Sequence, residues 1–285
     1  MRIILVPNRE LVRSLGVMRR NRIFLITLTG LREAAERAVV WMSGKSFESI
    51  FLDLPEDLSP YVRAYMDGNM TQQKLWKNYA YLTGLQQPFV NALRYGVEPI
   101  LNALPRLKDR KPRLEAYCYQ DLKSHMESCS LSEKVLLMET VGRVRGKVDV
   151  EEWRRVLNQE LECVTVGLTR ALENIVEGAR ENPENVVLYS GFTRLFKKRL
   201  EEDGFQVKPI HLQHYWRPPL DVLRAIAWLR GVENVSSDLI LGCVKSHLRY
   251  LDYVISSEDI DTAHARWELE ILPNATRKVW SAVSS

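Results

Sequence analysis

Two carboxylates and two small-residue turns are where chemistry is easiest to read in this sequence. Asp53 ends the apolar run Phe47, Ile50, Phe51 and Leu52, and Glu115 sits among Leu114, Ala116, Tyr117 and Cys118. A carboxylate inside an apolar strand is costly unless it is paired or faces a site. Such a pair could hold a divalent ion such as Mg²⁺ or Mn²⁺, with Glu56 or His211 handling protons. Asp53 and Glu115 are therefore the candidate catalytic residues. The turns are Thr27-Leu28-Thr29-Gly30 and Ser190-Gly191-Phe192-Thr193-Arg194, each between a strand pattern and a helix pattern. The free N–H groups of a helix start bind anions. Arg194 adds a permanent cation suited to a carboxylate or phosphate. Thr29, Gly30, Gly191, Thr193 and Arg194 are the candidate ligand-binding residues. His211 and His214 stand three apart but flank a strand end, so no metal ligand set is assigned.

These residues need a scaffold that brings them to one edge. Ile23 to Thr27 reads as a strand buried on both faces, which is typical of parallel sheets. Leu31, Ala34, Ala35, Ala38, Val39 and Met42 then recur at helical spacing, and Phe47 to Asp53 returns as a strand. Val186 to Tyr189, a helix through Leu200, and Phe205 to Ile210 repeat that layout. Arg2 to Val6 reads as an earlier strand, with a helix over Leu11 to Met18. Between the two crossovers the pattern is helical apart from a strand over Leu114 to Cys118. One helix is expected to stop at Pro105, and another to break near Ser130–Glu133. The aromatic residues between Tyr61 and Leu82 read as helix-to-helix packing. The expectation is an α/β fold with a central, mostly parallel sheet built from strand–helix–strand units. Residues 1–210 form the core, with a helical insertion over about 55–180, and 211–285 form a helical C-terminal extension packed on it. Ligands in such sheets bind at the carboxyl edge of the strands.

The totals are those of an ordinary globular chain: 285 residues, 46% hydrophobic and 27% charged, with a formal charge of +4. The mild basicity permits an acidic partner without requiring one. The four cysteines are widely spaced with no C-x-x-C pair, which reads as reduced thiols in a cytoplasmic protein. No run approaches the ~18 apolar residues of a membrane span. There is no G-x-G-x-x-G, Walker loop, G-x-S-x-G or H-E-x-x-H, so nucleotide cofactors held by the usual fingerprints are not expected and no cofactor is assigned.

The segments IFLITLTGLREAAERAVVWMSGKSFESIFLDLPEDLSP and NVVLYSGFTRLFKKRLEEDGFQVKPI, with RLEAYCY between them, resemble the Tiki/TraB superfamily, which includes ChaN-like and erythromycin-esterase-like proteins. The resemblance covers most of Arg22 to Ile210. It implies a pocket at the strand edges, used in that superfamily for metal-dependent hydrolysis or for haem or other ligands. The acidic position of the first motif is kept as Asp53. Its histidine would fall at Thr29 or Gly30, and Arg194 stands where the second motif has histidine.

A degenerate pocket follows from that resemblance, binding a small anionic ligand or serving regulation. One alternative is a hydrolase of the same superfamily with a divalent metal on Asp53 and Glu115. Another is a nucleic-acid-associated protein using Arg106, Lys108, Arg110, Lys111, Lys197, Lys198 and Arg199, whose binding would weaken steeply with salt.

Overall fold

The computed structural model describes residues 21–270. The strand expected at Arg2–Val6 and the helix at Leu11–Met18 lie outside the described residues. Five strands, β1 (Arg22–Thr27), β2 (Ser49–Pro55), β3 (Glu115–Gln120), β4 (Glu184–Tyr189) and β5 (Gln206–Ile210), form one sheet in the order β3-β2-β4-β1-β5. Every pairing is parallel. The α/β expectation therefore holds, with the sheet parallel throughout.

Side chains alternate across the sheet, and two layers of helix cover it. Phe24 and Ile26, Ile50, Leu52 and Leu54, and Val186 and Leu188 share one apolar cluster. That face is covered by α1 (Arg32–Ser43), α2 (Ser59–Met66), α3 (Gln72–Thr83) and α4 (Gln87–Arg110). Ile23, Leu25, Phe51 and Val187 face the other way. They are covered by the last half of α6 (Val150–Ala179) and by α7 (Thr193–Glu202). α5 (Leu122–Arg145) runs beside α6. At 30 residues, α6 is about 45 Å long, enough to serve two cores. Its Ala171, Leu172, Ile175 and Ala179 lie on the sheet. Its Trp153, Val156 and Leu157 join α8 (Pro219–Arg230) and α9 (Ser237–Ser256) in a third cluster. A further helical stretch spans residues 260–270.

Two helix boundaries differ from the sequence reading. α4 continues through Pro105 to Arg110. Proline removes one rung of the ladder, but Leu104 and Leu107 are buried on either side and hold the extra turn against the core. α5 runs unbroken past Ser130–Glu133. Its cap is Asp121, whose carboxylate accepts from the Ser124 N–H at 2.8 Å. With the helix already started there, the Ser130 pattern has no free N–H groups to cap.

At the amino edge, Asn185 is fully buried and locks β4 to its neighbours. Its Nδ2 donates to the carbonyls of Asn182 (2.9 Å), Ala179 (3.2 Å) and Arg22 (3.3 Å), and its Oδ1 accepts from the Ser49 hydroxyl. Leaving buried polar groups unpaired costs about 1–3 kcal/mol each. Asn185→Ala is expected to destabilise the protein by about 3 kcal/mol, read as a lowered urea midpoint at unchanged slope.

Candidate functional site

The sheet opens at its carboxyl edge between β2 and β4. These strands are paired only at Ser49↔Asn185, Ile50↔Val186 and Phe51↔Val187. By contrast, β1 pairs with β4 as far as Thr27↔Tyr189, and β2 with β3 as far as Pro55↔Gln120. From Leu52 onward β2 therefore stays with β3 and leaves β4. The connections diverge as well. The chain leaving β2 passes into the α2–α4 layer towards β3, and the chain leaving β4 passes into α7 on the opposite face towards β5. Such a reversal of direction between neighbouring strands is where open α/β sheets form a ligand crevice.

A cavity of about 200 Å³ lies there, lined among others by Asp53, Tyr119, Gln120, Asp121, His125 and Ser190. Asp53 bridges the gap. Its Oδ2 accepts from the Ser190 N–H at 3.1 Å and from the Ser190 hydroxyl, and its Oδ1 accepts from Gln120 Nε2. Gln120 in turn fixes His125: with Nε2 donating to Asp53, Gln120 Oε1 must accept, so His125 Nδ1 carries the proton (2.5 Å). His125 Nε2 is then free to accept from the Tyr79 hydroxyl at 2.8 Å. The chain Tyr79–His125–Gln120–Asp53 points every donor toward one carboxylate. Both ring nitrogens are committed, and burial pushes His125 below its ordinary value against the opposing pull of Asp53. It is a neutral positioning group and has no free lone pair to act as a base.

The remaining lining is equally unreactive. Burial raises the Cys163 thiol, helped by Glu127 and Glu160, and its Sγ donates to the Ser124 carbonyl at 3.4 Å. A protonated thiol is a poor nucleophile. Tyr119 is fully buried, raised by desolvation and by Asp53, and its hydroxyl donates to the Leu188 carbonyl at 2.8 Å. Asp121 is held below the usual carboxylate range by hydrogen bonds from the Ser124 N–H and hydroxyl. The charged side chains lining the cavity are thus two carboxylates and no cation. Of the four lone-pair positions of Asp53, three are taken by the protein.

The structure brings together only part of the residues singled out in the sequence. Asp53 and Gly191 line the crevice. A Cβ on Gly191 would meet the Tyr189 hydroxyl at 2.4 Å, so only glycine lets the turn pass the ring. Thr193 joins β1 to α7, its Oγ1 3.0 Å from Thr27 Oγ1. Thr29 accepts from Gln213 Nε2 at 3.1 Å, and Gly30 lies against the backbone of α4 at Gly96. The N–H groups at the start of α1, expected to bind an external anion, are taken by the chain itself. Asp261 accepts from the Arg32 N–H (3.1 Å), the Glu33 N–H (2.9 Å) and the Tyr95 hydroxyl (2.7 Å). Arg194 is exposed on α7 and does not line the cavity.

Glu115 is the main displacement. It is the first residue of β3, in register with Ser49, not a residue inside the strand. It lies at the amino end, about 13 Å along the sheet from the level of Asp53, so the two carboxylates cannot share an ion. Among the described residues no group of three His, Cys, Asp or Glu side chains is placed to hold a metal ion. His211 and His214 are exposed, with His214 beside the Trp216 ring at 4.9 Å. Gln120, His125 and Ser190 were missed by the sequence reading. The available signal was Gln120-Asp121 ending β3, followed by a capped helix that carries His125 in its first turn.

Because burial lowers the folded-state pKa of His125, the unfolded chain binds its proton more readily. Its contribution to stability is complete above pH 6.5 and is lost as pH falls through the folded value. Below pH 6.5 the wild type is expected to lose stability more steeply than His125→Gln, by up to about 1.4 kcal/mol per pH unit. Urea denaturation across pH 7.5 to 5 measures both slopes, and parallel slopes would remove His125 from this role.

No protein-family model, curated protein or solved structure matches the chain. The likeness to the Tiki/TraB superfamily thus rests on the strand–helix–strand segments themselves.

Proposed function

We propose that the chain binds a small polar ligand in the crevice between β2 and β4, and that the ligand donates hydrogen bonds or positive charge to Asp53. A single observation carries this reading: the crevice stands at the divergence of two connections, and its charged lining is Asp53 and Asp121 alone. Amines, and neutral molecules rich in N–H or O–H groups, suit that lining. A small anion would meet two carboxylates without a compensating cation. The committed state of His125, Ser190 and Cys163 favours binding over catalysis.

The other readings draw less support. A metal-dependent hydrolase would need a partner carboxylate near Asp53, and Glu115 stands at the opposite end of its strand. A nucleic-acid surface would need its cations free. On α7, Lys197 is 3.5 Å from Glu201, and Lys198 and Arg199 are each 3.7 Å from Glu202. Lys108 and Lys111 donate to the Leu114 and Met42 carbonyls. Among the described residues no helix is long and apolar enough to cross a membrane.

Thermal melting with millimolar short diamines, polyols, dicarboxylates and inorganic phosphate tests the proposal. At least one diamine or polyol should raise the wild-type midpoint by more than 2 °C and leave Asp53→Asn unmoved, while phosphate and dicarboxylates do nothing. Stabilisation by phosphate or a dicarboxylate alone, retained or improved in Asp53→Asn, would overturn it in favour of an anion site.

A further inference from the structure

A second concavity lies at the other end of the molecule, and its charge is of the opposite sign. Between α1 and α4 is a cavity of about 490 Å³, within the size range of small-molecule sites. Its floor is apolar, formed by Val39, Pro99, Ala103 and Leu107. Arg106 and Arg110 stand on its lip, four residues apart and so on one face of α4. Both are exposed, and neither makes an ion pair or side-chain hydrogen bond among the described residues.

The basic stretch Arg106 to Arg113 therefore divides by task. Lys108 Nζ donates to the Leu114 carbonyl at 2.9 Å, which ties the end of α4 to the entry of β3. Lys111 Nζ donates to the Met42 carbonyl at 3.0 Å and stands 4.5 Å from the centre of the Phe47 ring, tying α4 to the end of α1. These two lysines are structural. The two guanidiniums above the cavity have no such duty. Asp109 lies between them in sequence and pairs with neither among the described residues. Two unpartnered forks four residues apart match a carboxylate or a phosphate, which can accept from both. The apolar floor beneath them has no use for a bare inorganic anion but can bury a hydrocarbon chain or ring.

We propose that the groove between α1 and α4 binds a small amphiphilic anion, with its hydrocarbon part along Val39, Pro99, Ala103 and Leu107 and its acid group between Arg106 and Arg110. This goes beyond the Asp53 crevice and does not depend on it. The two sites lie at opposite edges of the sheet and select opposite charges. A nucleic acid would satisfy the arginines but leave the floor uncovered.

The test is calorimetric titration of the full chain with decanoate and, separately, octyl phosphate, both below their micelle concentrations. Inorganic phosphate and decanol are the half-ligand controls. At least one of the two amphiphiles is expected to bind ten times more tightly than either control, and the tighter of the two identifies the acid as carboxylate or phosphate. The double variant Arg106→Glu/Arg110→Glu should lose at least tenfold in affinity at an unchanged melting temperature, because both side chains face solvent. Ala103→Leu, which fills the floor, should weaken the amphiphile several-fold. Asp53→Asn should bind it as the wild type does, so that failure of either site is seen separately. Absence of binding by both amphiphiles, or equal affinity in the charge-reversed variant, would overturn the proposal. Salt-sensitive binding of a DNA or RNA oligonucleotide, lost in that variant with no amphiphile bound, would replace it with a nucleic-acid contact.

Discussion

The arrangement of this protein depends on how far β2 and β4 stay paired. At the amino edge they are pinned by backbone bonds and by the buried contact of Ser49 with Asn185. Three residues further on the pairing stops, and the strands follow different partners. A sheet cannot leave polar backbone groups facing an apolar void, so what fills the gap must be polar or wet. Here the filling is Asp53, which accepts from the Ser190 backbone, while Tyr119 reaches the Leu188 carbonyl from two strands away. The same parting of strands creates the cavity and determines which groups line it.

The charge of Asp53 is held in place without being neutralised. Gln120 transmits the orientation of His125 and Tyr79 to it through hydrogen bonds whose directions are all determined once the amide is placed. Hydrogen bonds to a charged acceptor are stronger than neutral ones and favour the ionised form. Preorganisation of this kind lowers the ordering cost of an incoming donor. Reactivity is a different matter, since a histidine buried between two partners has nothing left with which to move a proton.

Much of the scaffold was legible in the sequence because its signals are local. Ile23 to Thr27 and Val186 to Tyr189 are buried on both faces, as continuous apolar runs imply. Thr71 caps α3 through the Lys74 N–H, a contact set by spacing alone. The crossovers do share a rim, as the contact between Thr27 and Thr193 shows. The site was less legible because it is made by register. Reading Glu115 as a mid-strand residue required knowing where β3 begins, and its pairing with Ser49 is a long-range property. Arg194 looked like a pocket residue by position in a motif, but on a helix one step of 100° separates a lining position from a solvent one. Gln120 and His125 carry no motif, and gained a role only when β2 turned Asp53 toward them.

Asp261 sits on the first turn of α1, more than two hundred residues downstream of the N–H groups it satisfies. A helix start is ordinarily capped by a neighbour in sequence, so the partner is present as soon as the helix forms. Here the partner is made last. During synthesis the opening crossover must emerge from the ribosome with its helix end solvated only by water, and it stays so until the final helical stretch has been translated. Completion of the earliest structural unit is thereby tied to arrival of the chain's far end, and a shortened product would carry an unfinished beginning as well as a missing end.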